Sequence, residues 1–165
     1  MGFTLVAEAP LHTAAIERVL DRAFGPGRFA KTSERVRERG AVAEPALSRV
    51  ALNEAGEVVG VCRIWRVDAG GPLYFLGPLA VDPLARNAGL GADLVRAAVT
   101  ACRGAAGDGI IAVGAASFFG PLGFGRVPDG RLSLPGPVDP SRFLWLELRV
   151  GALSRAGGPV TAPKR

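Results

Sequence analysis

The sequence is poor in the side chains that most often carry chemistry. Its 165 residues hold one histidine, two cysteines and one tyrosine. A single histidine, His12, excludes a histidine-rich metal site and leaves no choice of imidazole bases. Its place at the start of the first predicted helix makes it a surface residue. Cys62 and Cys102 lie far apart, match no metal-ligand spacing and read as two reduced, buried thiols. No metal is expected. Long apolar runs are also missing, and none approaches the ~20 residues of a membrane-spanning helix. The opening MGFTLVAEAPLH has neither the basic start nor the apolar stretch of a signal peptide. A cytoplasmic protein with no membrane partner is expected.

Apolar residues make up 48% of the chain, enough for the core of one domain. The net charge is +5, and most of the basic residues are arginine. These arginines are scattered. The densest cluster, KTSERVRERG, includes Glu34 and Glu38, which can pair with arginines along one helix. That is a solvated helix face, so no nucleic-acid partner is expected. A modest basic excess also suits a small polyanionic ligand.

Periodicity supplies the order of elements. FTLVAE, residues 3–8, alternates as a strand, and a helix runs from Pro10 to about Phe24. GPGR breaks it, and a short charged helix covers 31–39. ALSRVALN and EVVGVCRIWRV form a hairpin around Glu54-Ala55-Gly56. LYFLGPLAV, almost wholly apolar, reads as a central strand covered on both faces and ended by Asp82 and Pro83. Residues 89–103 form the clearest helix, with a stripe of Leu90, Leu94, Ala97, Ala98 and Ala101. GIIAVG is a short buried strand, ASFFGPL a short helix or turn, and RFLWLELRV a last strand. The layout is α/β with a mixed sheet. It forms a single domain over residues 1–153, and the apolar-poor tail, 154–165, is expected to be mobile.

The stretch Arg86-Asn87-Ala88-Gly89-Leu90-Gly91 sits between a strand and a helix. A helix N-terminus offers unpaired N–H groups and partial positive charge, and glycines let a phosphate reach the backbone. A P-loop is excluded because Ala92 and Asp93, not lysine and a hydroxyl residue, follow Gly91. A Rossmann fingerprint fits poorly, since Leu94 stands where a small third residue is wanted and three strands come first. Two glycines can also simply tighten a strand-to-helix turn. The Arg-x-x-Gly-x-Gly pattern resembles the pyrophosphate loop of the GNAT superfamily of N-acetyltransferases.

The surroundings extend that resemblance. LGPLAVDPLARNAGLGADLV is similar to the fourth strand, turn and third helix of a GNAT domain, and VGAASFFGPLGFGRV to its fifth strand, fourth helix and closing Gly-Phe. EAPLHTAAIERVLDRAFG and FLWLELRVGAL resemble a bacterial subgroup of predicted N-acetyltransferases. The resemblance implies a mostly antiparallel mixed sheet with helices on both faces, splayed between its fourth and fifth strands, LYFLGPLAV and GIIAVG. It implies acetyl-CoA as co-substrate. The pantetheine arm would pair with Leu79, Ala80 and Val81, and the pyrophosphate would rest near Arg86 on the N–H groups of Asn87, Ala88, Gly89, Leu90, Gly91 and Ala92. An N–H near Leu79 to Val81 would polarise the thioester carbonyl, and a neutral amine would attack directly. Pro78, which has no N–H, fits a strand irregularity there.

The pattern breaks at the general acid. Family members often carry a tyrosine four residues before the closing Gly-Phe, and here that position is Phe119. A missing acid costs about 10² to 10⁴ in rate, yet a thiolate leaves tolerably without one. Phe118 and Phe119 are left to pack on the pantetheine or in the core. Tyr74, on the central strand, could reach the gap, but its ring is expected in the core with its hydroxyl at the strand end. Asp68 and Glu147 are candidate bases, with plain solvent-side carboxylates as the alternative. No catalytic residue is assigned. The chain reads as an N-acetyltransferase of a small-molecule or protein amine, or as an acyl-CoA-binding sensor that lost turnover. The first two helices and the loop near 128–140 would shape the acceptor pocket, with Phe24, Arg28, Phe29 and prolines making it partly apolar. A homodimer is plausible.

Overall fold

A computed structural model of the chain describes residues 2–25, 32–86 and 89–164. β1 (Thr4–Ala7) leads through a 3-10 turn at Pro10–His12 into α1 (Thr13–Phe24). α2 (Thr32–Glu38) and a two-residue strand, β2 (Val42–Ala43), follow. Then come β3 (Arg49–Leu52), β4 (Val58–Asp68) and β5 (Pro72–Val81), joined by tight turns. α3 (Leu90–Arg103), β6 (Gly109–Val113) and α4 (Ala116–Phe119) complete the middle of the chain. The remainder holds β7 (Gly125–Arg126), β8 (Leu132–Ser133), β9 (Phe143–Glu147) and β10 (Gly158–Pro159). The unforeseen β2 makes the expected fourth and fifth strands β5 and β6.

The main sheet runs β1-β3-β4-β5-β6-β9-β7, with β2 set against β4. Every neighbour in it is antiparallel except β5–β6, so the expected mixed, mostly antiparallel sheet is present. Strand alternation sorts the core between two faces. Cys62, Ile64, Tyr74, Ile110 and Ala112 face α3. Val50, Val61 and Ala80 pack under α1, whose Ile16, Val19 and Leu20 are fully buried. Phe75, Ile111 and Phe143 share that second face further along, under Val36 of α2 and the C-terminal segment. No described helix is long and apolar enough to cross a membrane.

Several expectations change in detail. The inward stripe of α3 is Leu90, Leu94, Val95, Ala98, Val99 and Cys102, while Ala97 and Ala101 are half-buried. The helix is rolled so that Val95, Val99 and Cys102 join Leu90, Leu94 and Ala98 against the sheet. His12 is buried, because its Nδ1 accepts the Ala9 N–H at 3.0 Å and closes the turn before α1. The last long strand stops at Glu147, where Leu148 turns its N–H to the Asp108 carbonyl.

The C-terminal segment, expected to be mobile, is laid down through residue 164. β10 runs parallel to β8, Ala156 and Val160 are buried, and Thr161 exchanges backbone hydrogen bonds with Asp68. Its few apolar residues are spaced to reach the second face of the sheet, and Arg131 supplies donors to the Leu153, Ser154 and Ala156 carbonyls. Composition alone misses such pinning because it comes from an arginine more than twenty residues away.

Candidate functional site

The site begins where two parallel strands part. β5 and β6 pair only at Tyr74–Ile110 and Phe75–Ile111. Beyond that point β6 stays with β9 out to Val113–Phe143, while β5 continues beside β4 to Val81. The parting coincides with a bulge: Cys62 faces Leu79 and Ile64 faces Leu76, so Gly77 and Pro78 together oppose Arg63. Pro78 has no N–H to offer a ladder. The indole Nε1–H of Trp65 donates to the Gly77 carbonyl at 2.6 Å and fixes the bulged backbone.

Register determines which β5 groups face the opening. The Asp82 N–H donates to the Val59 carbonyl at 2.8 Å, which makes Asp82–Val59 a hydrogen-bonded pair of the β4–β5 ladder. Alternation then turns Ala80 toward β4 and turns the N–H and C=O of Leu79 and Val81 toward the gap. The Val81 carbonyl accepts from Arg86 Nε at 3.4 Å, which folds this arginine back over the strand end. Asp82 accepts from the Leu84 N–H and pairs with Arg22 of α1 at 2.6 Å, so the turn after β5 is tied to the first helix.

That turn delivers the chain to the N-terminus of α3. Gly89 is its N-cap, with φ 70° and ψ 13°, a left-handed conformation natural to glycine. No side chain caps this end. A Cβ on Gly89 would have nothing within 4 Å, and one on Gly91 would meet only Phe118 at 3.7 Å and Val81 at 3.9 Å. Among the described residues, the first N–H groups of α3 thus meet no side-chain acceptor, and Arg86 shares a groove with Gly91. Asn87 and Ala88 of the expected cradle lie outside the described residues, as do Arg28 and Phe29.

Two concavities meet along the β5 edge. A groove of about 270 Å³ is lined by Leu79, Ala80, Val81, Arg86, Gly91 and Phe118. A cavity of about 460 Å³ continues from it, sharing Leu79 and Phe24. Its floor is apolar, with Leu76, Pro78, Val113 and Phe119. One wall is α2, with Ser33, Glu34 and Arg37, and the opposite wall carries Pro137, Val138, Asp139 and Arg142. Arg37 binds Glu34 through two nitrogens, at 2.8 and 3.2 Å. The Ser141 hydroxyl and N–H both donate to Asp139 Oδ1, at 2.8 and 2.9 Å, and hold its carboxyl below the usual range.

Other residues singled out in the sequence fall elsewhere. Asp68 pairs with Pro72 at the start of β5, about 20 Å from Leu79 at ~3.3 Å per residue. Glu147 faces Gly109 at the start of β6 and accepts the Leu153 N–H. Neither lines the cavity, so neither candidate base is brought to the gap. Glu34 and Asp139 are, and neither stood out beforehand, since each sits in a charged or proline-rich stretch that reads as surface. Phe119 is buried, edge-on to Phe118 and Phe124. Tyr74 is buried, and its hydroxyl accepts the Gly107 N–H at 3.2 Å, as expected of a core ring with its hydroxyl at a strand end. Both cysteines are free and buried; burial pushes Cys62 well up and Cys102 to about 12. Among the described residues no cluster of three His, Cys, Asp or Glu could hold a metal.

The comparisons with known proteins converge on this architecture. The model of the acetyltransferase (GNAT) family matches residues 13–124. The GNAT family N-acetyltransferase YhbS of Escherichia coli, solved in complex with CoA, is 26% identical, with 98% of this chain and 89% of that one covered and a TM-score of 0.81. A GNAT family acetyltransferase of Brucella melitensis in complex with acetyl-CoA is also 26% identical, over 87% of this chain and 94% of that one, with a TM-score of 0.62. An acetyltransferase of the family from Staphylococcus aureus, 18% identical, shares the fold over 90% of this chain and all of that one, with a TM-score of 0.63. No curated protein matches the sequence.

Proposed function

The chain belongs to the acetyltransferase (GNAT) family, and we propose that it is an acetyl-CoA-dependent N-acetyltransferase that acts on a primary amine. The observation that carries this reading is the open edge of β5, unzipped from β6 beyond Phe75 and leading straight to the bare N-terminus of α3. The bareness of Gly89 and Gly91 suits a diphosphate, because a phosphate oxygen needs the room that a side chain would take. The adjacent Arg86 adds a cation. The cradle in this reading spans Arg86 to Ala92, including Asn87 and Ala88, and Phe118 and Phe119 flank the groove.

Acetyl-CoA would supply an acetyl carbon already activated as a thioester. Leu79 and Val81 offer strand-like donors and acceptors to its amide arm. An N–H from the same edge can face the carbonyl oxygen and stabilise charge that develops there. The amine enters from the larger cavity, whose apolar floor excludes water and favours the neutral, nucleophilic form. Of the two carboxylates there, Asp139 is a weak base because Ser141 stabilises its ionised form. Glu34, bound through its Oε2 by Arg37, keeps its Oε1 as the other carboxylate acceptor offered to the amine's proton. Phe119 gives the leaving sulfur no proton, so the thiolate takes one from solvent.

That last feature favours a second reading, a CoA-binding domain without turnover. Calorimetry with acetyl-CoA and a thiol-release assay over a panel of primary amines separate the two. Saturable binding with amine-dependent thiol release is expected of the enzyme. Binding without release on any amine supports the second reading, and absence of binding overturns both.

A further inference from the structure

Among the described residues the cavity carries four charges, and they are not disposed alike. Glu34 and Arg37 are closed on each other at 2.8 Å. Asp139 and Arg142, on the opposite wall, are not. Asp139 Oδ1 is taken up by Ser141, and among the described residues the Arg142 guanidinium makes no side-chain hydrogen bond and no ion pair. Yet its backbone is fixed. The Arg142 N–H donates to Asp139, and its carbonyl accepts the Gly114 N–H at the end of β6, each at 2.9 Å. A cation on a fixed backbone therefore lines the cavity with its guanidinium donors unspent on any described residue. Many other arginines are engaged: Arg63 binds Glu8 and Glu17, Arg131 binds three carbonyls, and Arg155 binds Asp108, while the exposed Arg18, Arg35 and Arg39 line no part of this cavity.

Resting on the acetyltransferase reading above, we infer that the acceptor is an amine with an apolar body and an anionic group, a carboxylate or a phosphate, which Arg142 receives at the cavity wall. The planar guanidinium suits either anion in a two-point contact. The body of the acceptor lies on Leu76, Val113 and Phe119, and its amine points to the β5 edge. Asp139 stands near enough to oppose the anion electrostatically and too far to quench Arg142 by contact. Its hydrogen bonds to Ser141 turn part of its charge into the loop.

The test uses three ligands of equal chain length, pentylamine, 5-aminopentanoate and 5-aminopentyl phosphate. Each is titrated calorimetrically into the full-length protein with and without CoA, so that no turnover is needed. Acetyl-CoA binding is measured separately, and its failure would sink the acetyltransferase reading while leaving the anion preference to be read on its own. One or both anionic ligands should bind about tenfold more tightly than pentylamine, the low end for a hydrogen bond to a charged group because Arg142 is exposed. Comparing the two identifies the anion. Arg142→Ala should erase the preference and Arg142→Lys keep part of it, with acetyl-CoA affinity and thermal stability unchanged. Asp139→Asn, which retains an oxygen for Ser141, should strengthen the preference a few-fold. Equal binding of all three ligands, a preference that survives Arg142→Ala, or no binding by any of them overturns the inference.

Discussion

The two ends of the β5–β6 boundary differ in how their polar groups are spent. At the closed end, where Tyr74 and Phe75 meet Ile110 and Ile111, nearly every polar group is committed to the fold. Tyr74 accepts from Gly107, Asp108 binds Arg155, Asp68 is bridged to Thr161, and Glu147 accepts from Leu153. At the open end the commitments stop. Leu79 and Val81 face no strand, and among the described residues the N-terminus of α3 has no side-chain cap and Arg142 makes no ion pair. A carboxylate or hydroxyl on a central strand is therefore no guide to chemistry in this protein. What marks the working end is backbone and charge left unused.

If that contrast holds, substitutions at the open end should change binding and spare stability, and those at the closed end should do the reverse. The largest effect is expected from Gly91→Asp. The new carboxylate would have ordinary space in the first turn of α3, where acidic residues favour the helix, so the melting temperature should hold or rise. It would also stand where the diphosphate is proposed to rest, and CoA affinity by calorimetry should fall at least about a hundredfold through charge repulsion. Phe119→Tyr restores a proton donor beside the cavity floor and should raise the rate of thiol release about tenfold, toward the low end of what a general acid contributes. An unchanged rate would mean the ring is too tightly held between Phe118 and Phe124 to serve.

Closed-end effects are smaller and of the opposite kind. Tyr74→Phe strands the buried Gly107 N–H and should cost about 1–3 kcal/mol in chemical denaturation, leaving CoA affinity as it was. The thiols give a further pH-dependent term. Cys102 is raised from 9.0 to about 12, and Cys62 is raised as well, so the unfolded chain releases these protons first. Their contribution is complete below about pH 9 and fades as pH climbs toward 12. Stability should therefore fall with rising pH in that window by up to ~1.4 kcal/mol per pH unit for each thiol. Replacing either cysteine by alanine should flatten the slope.

Legibility in the sequence follows the same division. The elements, the sheet class and the glycine turn were readable because apolar periodicity and the strand-glycine-helix order are local signals. Pro78 announced a strand irregularity, but that Trp65 would pin it required knowing the β4–β5 register. The buried His12 and the anchored C-terminal segment depend on partners that composition does not reveal. The acceptor cavity was least legible. Its walls come from α2 and the residues before β9, which look like ordinary charged and proline-rich surface until the fold brings Glu34 and Arg142 to face the same space.

The most direct test is amide hydrogen exchange measured residue by residue with and without CoA. Leu79, Val81 and the first turn of α3 from Gly89 to Gly91 should gain protection on binding. Ala80, already bonded to β4, should not change and serves as an internal control. Protection spread equally over Leu79, Ala80 and Val81, or confined to the closed end around Tyr74, would contradict the account.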